Sequence, residues 1–109
     1  MANISIAADF SEFPAGRIPD DGPNSGERFR EELLVPLLNG TDEHIEINLD
    51  DTLGYGSSFL DEAFAGLLRI NGFSLNQLKK RIRFIDSRII YEPMIWKYIE
   101  EESNRAVRG

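Results

Sequence analysis

The chain has 109 residues and 41% hydrophobic content, which is enough for one domain with a real core and too short for two ordinary ones. The 19 acidic and 12 basic residues give a formal charge of -7, which disfavours nonspecific binding to nucleic acid or to anionic membranes. There is no cysteine, so disulfides, thiolate metal sites and cysteine nucleophiles are excluded.

The hydropathy pattern predicts neither a secretory leader nor a membrane span. The first residues lack a basic segment followed by an apolar run, and no later segment approaches the roughly 20 apolar residues of a membrane helix. We therefore expect a soluble cytoplasmic protein. A single domain is predicted over residues 1–109, with an ordered core from about residue 3 to about residue 100 and a charged carboxyl-terminal tail.

The first half of the chain reads as strand, helix, strand. Alternating apolar residues predict strands over residues 3–10 and 45–49. Between them, apolar residues at helical spacing predict a helix that begins at Asn24 or Ser25, with a kink or a last turn at Pro36. The segment before this helix leaves room for one further antiparallel strand.

The second half continues the alternation. A second helix is predicted after the Gly-rich turn at residues 54–58, and Ser74 is predicted to cap a short third helix. A strand over residues 82–85 and a final helix that begins at Asp86 or Ser87 and includes Ile89 and Ile90 complete the order. Helices between strands imply crossover connections, so we expect a small layered α/β domain with a mostly parallel or mixed sheet.

The turn between the second strand and the second helix has the sequence Gly54-Tyr55-Gly56-Ser57-Ser58. A flexible turn that brings hydroxyls to a helix N-terminus can cap the helix, hold an anion or offer a phosphorylation site. The structural alternative is that one serine caps the helix. The functional alternative is a phosphoswitch, in which a phosphate close to Asp61 and Glu62 repels an acidic partner or reorganises the turn.

A second candidate site lies in the long Pro- and Gly-rich loop and at the start of the first helix. It consists of Arg17, Asp21, Ser25, Gly26 and Arg28. One interpretation is a loop pinned to the domain by an ion pair and a helix cap. The other is an anion or ligand pocket, because free helix amides and a nearby guanidinium can bind phosphate or carboxylate.

No catalytic constellation is apparent. His44 has no second histidine or cysteine near it, so neither a metal site nor a Ser-His triad is predicted. The basic run at residues 79–81 is interpreted as a solvated helix face, and no nucleic-acid partner is expected. We expect no cofactor, no metal and no catalytic residues.

Three motifs together resemble the bacterial STAS-like domains of unknown function, distant relatives of the sulfate transporter and anti-sigma factor antagonist domains. They are Phe13-Pro14-Ala15-Gly16-Arg17, Asp21-Gly22-Pro23-Asn24-Ser25-Gly26-Glu27-Arg28-Phe29-Arg30 and Gly54-Tyr55-Gly56-Ser57-Ser58-Phe59-Leu60-Asp61-Glu62-Ala63-Phe64. In the antagonists, the first serine of a strand-to-helix turn is phosphorylated by a partner kinase. The resemblance places Ser57 at that position, with Gly56 where the antagonists carry an aspartate.

The resemblance implies a noncatalytic regulatory module that docks a histidine-kinase-like ATPase of the anti-sigma type. The expected docking surface is the 54–68 turn and helix, with contacts from Gly54, Tyr55, Gly56, Ser57, Ser58, Asp61 and Glu62. The alternative is a small-ligand or nucleotide sensor that uses the Arg17 loop and the N-terminus of the first helix. An enzyme is the third hypothesis and has the least support.

Overall fold

A computed structural model describes the backbone of residues 2–108 and the side chains of residues 2–105; Met1 and Gly109, the ends of the predicted 1–109 domain, lie outside the described residues. The strands are β1 (Ala2–Ser5), β2 (Ile45–Asn48) and β3 (Ile82–Ile85). Helix α1 runs through Gly26–Phe29, Arg30–Leu34 and Val35–Leu38, and helix α2 through Ser57–Leu60, Asp61–Ala65 and Gly66–Arg69. Helices α3 (Leu75–Arg81) and α4 (Tyr91–Arg108) complete the fold, with short helical turns at Ile6–Phe10 and Pro19–Asp21.

The three strands form one parallel sheet in the order β1-β2-β3, which confirms the predicted α/β class. Ile4, Ile47 and Phe84 lie in register across it. Right-handed crossovers that advance in one direction place their helices on the same face of the sheet. Ile45 and Ile47 are buried, whereas Glu46 and Asn48, which alternate with them, are partly exposed. This alternation agrees with a sheet that is covered on one face.

The first strand is shorter than the sequence predicted. It ends at Ser5, and residues 6–10 form a helical turn with hydrogen bonds of the π type. The Ser5 hydroxyl accepts a hydrogen bond from Ala8 N at 3.1 Å, and the Asp9 carboxylate accepts one from Ser5 N at 2.7 Å. This reciprocal capping satisfies the amides that a longer strand would need to pair, so the predicted strand over residues 6–10 is wrong. The described loop after it contains no antiparallel strand.

Helix α1 begins where the sequence predicted and continues past Pro36. Ser25 is its cap, because the Ser25 hydroxyl accepts from Arg28 N at 3.2 Å. The segment Arg30–Leu34 has π-type hydrogen bonds, and Val35 N donates to Arg30 O. The wider turn immediately precedes Pro36, which has no amide to donate, and the helix ends at Leu38, so Pro36 lies in its last turn as predicted.

Helices α1 and α2 approach each other closely at Gly26. A Cβ atom at this position would lie 2.7 Å from Phe59 O and 3.0 Å from Ala63 N. Both are backbone atoms of α2, so only glycine allows this separation. The rings of Phe29, Phe59 and Phe64 then pack together below the crossing, with the Phe29 ring 6.0 Å from that of Phe59 and 6.1 Å from that of Phe64.

A buried ion pair joins the same two helices. Arg30 is 1% exposed, and its Nη1 atom donates to the Glu62 carboxylate at 2.7 Å and also to the Glu62 main-chain oxygen. Gly66 leaves the space that this guanidinium occupies, since a Cβ there would overlap Arg30 Nη1. Arg30 Nε donates to Glu31, so the buried charge is well satisfied.

Of the last two helices, α3 has the predicted cap and α4 starts later than predicted. Ser74 accepts from Gln77 N at 3.1 Å and caps α3, as its sequence predicted. Helix α4 starts at Tyr91, because the Asp86 carboxylate accepts hydrogen bonds from the amides of residues 90–92. The predicted start at Asp86 or Ser87 is therefore wrong. The helix continues through the charged segment after residue 100, where Glu102 is buried.

We predict that Gly26→Ala lowers the free energy of unfolding by about 2 kcal/mol, because the added methyl group forces α1 away from the α2 backbone. Gly56→Ala is the matched control. Gly56 has a negative φ and nothing near its Cβ position, so its substitution should cost less than about 1 kcal/mol. Urea unfolding of both variants checks this, and equal losses would contradict a close helix crossing.

We also predict that Arg30→Met destabilises the protein by about 3 kcal/mol or more, since it leaves the Glu62 carboxylate without its buried partner. The double variant Arg30→Met/Glu62→Met should recover part of this loss, because it removes both charges. Urea unfolding in a double-mutant cycle measures the coupling. Additive losses in the cycle would contradict a buried pair.

Candidate functional site

The candidate site lies at the carboxyl edge of the parallel sheet, where the loops that follow the three strands meet. The loop after β2 contacts the loop after β3 through Asp50, whose carboxylate accepts hydrogen bonds from Ser87 N at 2.9 Å and Ser87 Oγ at 2.6 Å. These hydrogen bonds hold the pKa of Asp50 below its usual value. Arg88 reaches back to donate to Thr52 O, so the two loops are joined by several contacts.

The long loop between β1 and α1 joins the same edge. Leu53 N donates to Glu12 O at 3.0 Å, which fixes the start of that loop against the loop after β2. Gly54 has a φ of 124°, and a Cβ there would lie 3.1 Å from the Tyr91 hydroxyl. Glycine is therefore required at this position both for backbone conformation and for packing.

Tyr55, predicted as a docking residue, is a core residue in the structure. Its hydroxyl donates to Leu49 O at 2.8 Å, and its ring packs 4.9 Å from that of Tyr91 and 5.9 Å from that of Phe59. Burial raises the pKa of Tyr55 to about 12. Tyr55 anchors the turn to the domain and contributes little surface to a partner.

Ser57 and Ser58 do not cap helix α2. The cap is Gly56, which has extended backbone angles and no side chain to accept from the helix amides. Both serines are exposed in the first turn, and neither hydroxyl has a hydrogen-bond partner among the described residues. The structural alternative of a serine cap is wrong. Both hydroxyls are therefore accessible from outside.

The adjacent acids of α2 point to different surroundings. Glu62 is turned into the helix interface towards Arg30 and is unavailable to a partner. Asp61 lies at the surface between two arginines, 2.6 Å from Arg17 Nη1 and 3.4 Å from Arg69 Nη2. Successive helix residues diverge by about 100°, which separates the two carboxylates.

The N-terminus of α1 does not present the free amides that an anion pocket requires. Gly26 N donates to Gly16 O and Glu27 N donates to Arg17 O, each at 2.9 Å. Arg28 N donates to the Ser25 hydroxyl. The chain itself therefore occupies the sites on which the predicted phosphate cradle depends.

The remaining side chains of that candidate set also serve the loop. The Asp21 carboxylate accepts from Arg17 N at 3.0 Å, and Ser25 is buried as the helix cap. Arg28 pairs with Glu32 and donates to Pro23 O. Together with the ion pair between Arg17 and Asp61, these contacts hold the loop against the domain. They agree with the interpretation of this segment as a loop pinned by an ion pair and a helix cap.

A polar cavity of about 310 Å³ brings together residues from both predicted sites and from α4. It is lined by Arg17, Ser57, Asp61, Tyr98, Glu101 and Arg105. Glu101 and Arg105 were missed in the sequence because the charged segment after about residue 100 was assigned to a tail, whereas Tyr98 was assigned to the final helix and not to a site. Their spacing of three and four residues is that of one helix face and is the signal that could have found them.

Besides Ile18, which is 42% exposed, four large apolar side chains are exposed on the three joined loops. Leu53 and Ile89 are each 80% exposed, Phe13 is 59% exposed and Ile90 is 53% exposed. We call these four residues the apolar patch. The prediction that Ile89 and Ile90 belong to the last helix is wrong, since both precede it.

Among the described residues, no group of three or more His, Cys, Asp or Glu side chains is arranged to hold a metal ion. In the same part of the chain, no helix is both long enough and apolar enough to cross a bilayer. His44, the only histidine, is partly buried beside β2.

Comparison with known families identifies the fold. The sequence model of a family described as STAS-like domain of unknown function (DUF4325) matches residues 25–88, which is more than half of the chain. The match spans α1, β2, α2, α3 and β3, and so includes the Gly54–Ser58 turn. Comparisons with curated proteins and with solved structures gave no match. The chain therefore belongs to the family of STAS-like domains of unknown function.

Proposed function

We propose that this protein is a noncatalytic regulatory module that docks a protein partner at the carboxyl edge of its sheet. The observation that carries this proposal is the exposure of Leu53 and Ile89 beside the free serines of the Gly54–Ser58 turn. Exposed apolar side chains that cluster and are rimmed by polar residues are typical of protein contact sites. The docking surface consists of the apolar patch and the exposed residues of that turn.

The hydrogen bonds between loops support docking because they organise the patch before a partner arrives. Asp50 holds Ser87, Arg88 holds Thr52, and Leu53 N is held by Glu12 O. A preformed contact surface loses less conformational entropy on binding than a flexible one.

The backbone at Ile89 supports a functional role for this side chain. Ile89 has a φ of 57°, a left-handed conformation that is unfavourable for a β-branched residue. Glycine or asparagine would be the less strained choice for an exposed turn. Residues held in unfavourable conformations cluster at binding and catalytic sites, where the side chain itself is needed.

The charges around the patch indicate the kind of partner. Glu12 and Asp51 are exposed next to it together with Arg88, which leaves these three neighbours net acidic, and the chain as a whole carries a formal charge of -7. A complementary partner has an apolar groove with basic residues at its rim. The family resemblance favours a histidine-kinase-like ATPase of the anti-sigma type as that partner. The alternative sensor site at the N-terminus of α1 is less favoured, because the amides there are already occupied.

Serine phosphorylation is proposed as the means of reversing this docking. Ser57 and Ser58 are exposed in the turn that joins Leu53 to α2. Phosphorylation would place a strongly hydrated group with nearly two negative charges within the docking surface, and the cost of desolvating this group opposes the apolar contact. We propose that the phosphorylated form binds its partner more weakly.

We predict that Leu53→Asn and Ile89→Asn each weaken partner binding roughly 10-fold or more, since each removes an apolar anchor. Ile89→Asn should also raise the free energy of unfolding by about 1 kcal/mol, because asparagine tolerates the left-handed conformation. The partner is identified by purification from the native host with mass spectrometry. Calorimetry with the purified partner then measures binding, and urea unfolding measures stability.

Ile70→Asn is the matched control for these variants. Ile70 is 62% exposed at the far end of α2, outside the docking surface, and its substitution should leave affinity unchanged. Loss of affinity in Ile70→Asn with full affinity in the other two variants would contradict the proposed surface. Retention of a small molecule instead of a protein would favour the sensor alternative.

We predict that the native protein carries phosphate on Ser57 under some growth conditions and that Ser57→Ala abolishes the modified form. Ser58→Ala should retain it, since the resemblance to the anti-sigma factor antagonists points to the first serine. Mass spectrometry of protein purified from its native host measures the modified fraction. A phosphate on Ser58 alone, or unmodified protein in every condition tested, would contradict this prediction.

A further inference from the structure

Five charged side chains form a continuous network of alternating sign next to Ser57. In order, they are Arg17, Asp61, Arg69, Glu102 and Arg105. Both ends of the network are arginines, and both of these arginines line the same cavity as Ser57. The network thus contains three cations and two anions, and the cavity lining itself holds Arg17 and Arg105 together with Asp61 and Glu101 beside the exposed Ser57.

We propose that a phosphate on Ser57 is bound within the same chain by Arg17 and Arg105. This inference rests on the proposed modification of Ser57 and adds the residues that bind its phosphate. Phosphate accepts bidentate hydrogen bonds from guanidinium groups, and three phosphate oxygens can accept from two arginines at once. The two arginines are 46% and 68% exposed as side chains, so both are free to reorient towards the ester.

The arrangement of the carboxylates allows this exchange without leaving an acid unpaired. Asp61 loses Arg17 but keeps Arg69 at 3.4 Å. Glu102, which is buried, loses Arg105 but keeps Arg69 at 2.6 Å. Arg69 therefore holds both acids while the terminal arginines move. Glu101, the remaining acid in the cavity lining, is exposed on α4 and stays solvated.

The modification itself is an ordinary phosphoryl transfer from a nucleoside triphosphate by a partner kinase. A bond forms between Ser57 Oγ and the γ-phosphorus, and the bond from that phosphorus to the bridging β,γ-oxygen breaks. The hydroxyl proton passes to a base of the kinase or to water, and the nucleoside diphosphate leaves. No group of this chain is required for the transfer.

Movement of Arg17 would connect the phosphate to the docking surface. Arg17 is the residue that ties the long loop to α2, and the same loop carries Phe13 of the apolar patch. Transfer of Arg17 from Asp61 to the phosphate changes the position at which this loop is anchored. Binding of the phosphate by Arg105 also joins α4 to the turn, so the modification affects the patch from two sides.

The test uses the full chain with phosphoserine installed at position 57 by genetic code expansion, which requires neither kinase nor partner. Phosphorus NMR across a pH titration measures the second pKa of the phosphate, about 6 in an exposed phosphoserine. We expect this pKa to lie about one pH unit lower at position 57 than in protein carrying phosphoserine at Ser58, because two guanidinium groups favour the dianion.

Arg17→Gln and Arg105→Gln should each raise this pKa towards that of the Ser58 form, and the double variant should remove the difference. Arg83→Gln, which removes an exposed arginine on β3, is the matched control and should change nothing. Amide spectra confirm that each protein is folded.

Equal pKa values at positions 57 and 58, unchanged by the arginine variants, would overturn the intramolecular phosphate site. Such a result would not affect the docking proposal, which is tested separately by the Leu53 and Ile89 variants. Conversely, failure of the docking proposal in the binding test would not alter the phosphate titration, because the titrated sample contains no partner.

Discussion

The close crossing of α1 and α2 is the constraint on which the rest of the structure depends. Gly26 lets the two backbones meet, and the buried pair of Arg30 with Glu62 sets one helix relative to the other. A charge pair in a close-packed interface tolerates little displacement, because either partner left alone would remain buried without compensation. Because α2 follows β2 along the chain, its N-terminus, with Ser57, lies at the carboxyl edge of the sheet.

The two adjacent acids of α2, Asp61 and Glu62, lie in different surroundings at this crossing. Glu62 is used inside the helix interface, whereas Asp61 is left outside to meet Arg17 and Arg69. One helix thus fixes the fold with one carboxylate and organises a surface charge network with its neighbour. Because exposed pairs of this kind are worth little individually, they can exchange partners at small cost, which a switch requires.

Much of the fold could be predicted from local pattern, and the exceptions have identifiable causes. The parallel sheet and the Ser74 cap follow from periodicity and from capping chemistry that acts within a few residues. The end of β1 was misplaced because the caps at Ser5 compete with strand pairing. The apolar character of Ile89 and Ile90 suggested burial, whereas the hydrogen bonds of Asp86 start the helix after them. Hydropathy alone does not distinguish a buried residue from an exposed contact residue.

The α/β class and the position of the Gly-rich turn follow from short-range sequence patterns, and the choice of Ser57 follows from a recognisable motif. The fold was needed to show that neither serine caps α2, that the amides of α1 are already occupied, and that Arg17 and Arg105 share a cavity with Ser57. Arg17 and Arg105 lie far apart along the chain. Their meeting depends on how a loop and the last helix pack against α2, and that packing is a property of the assembled core.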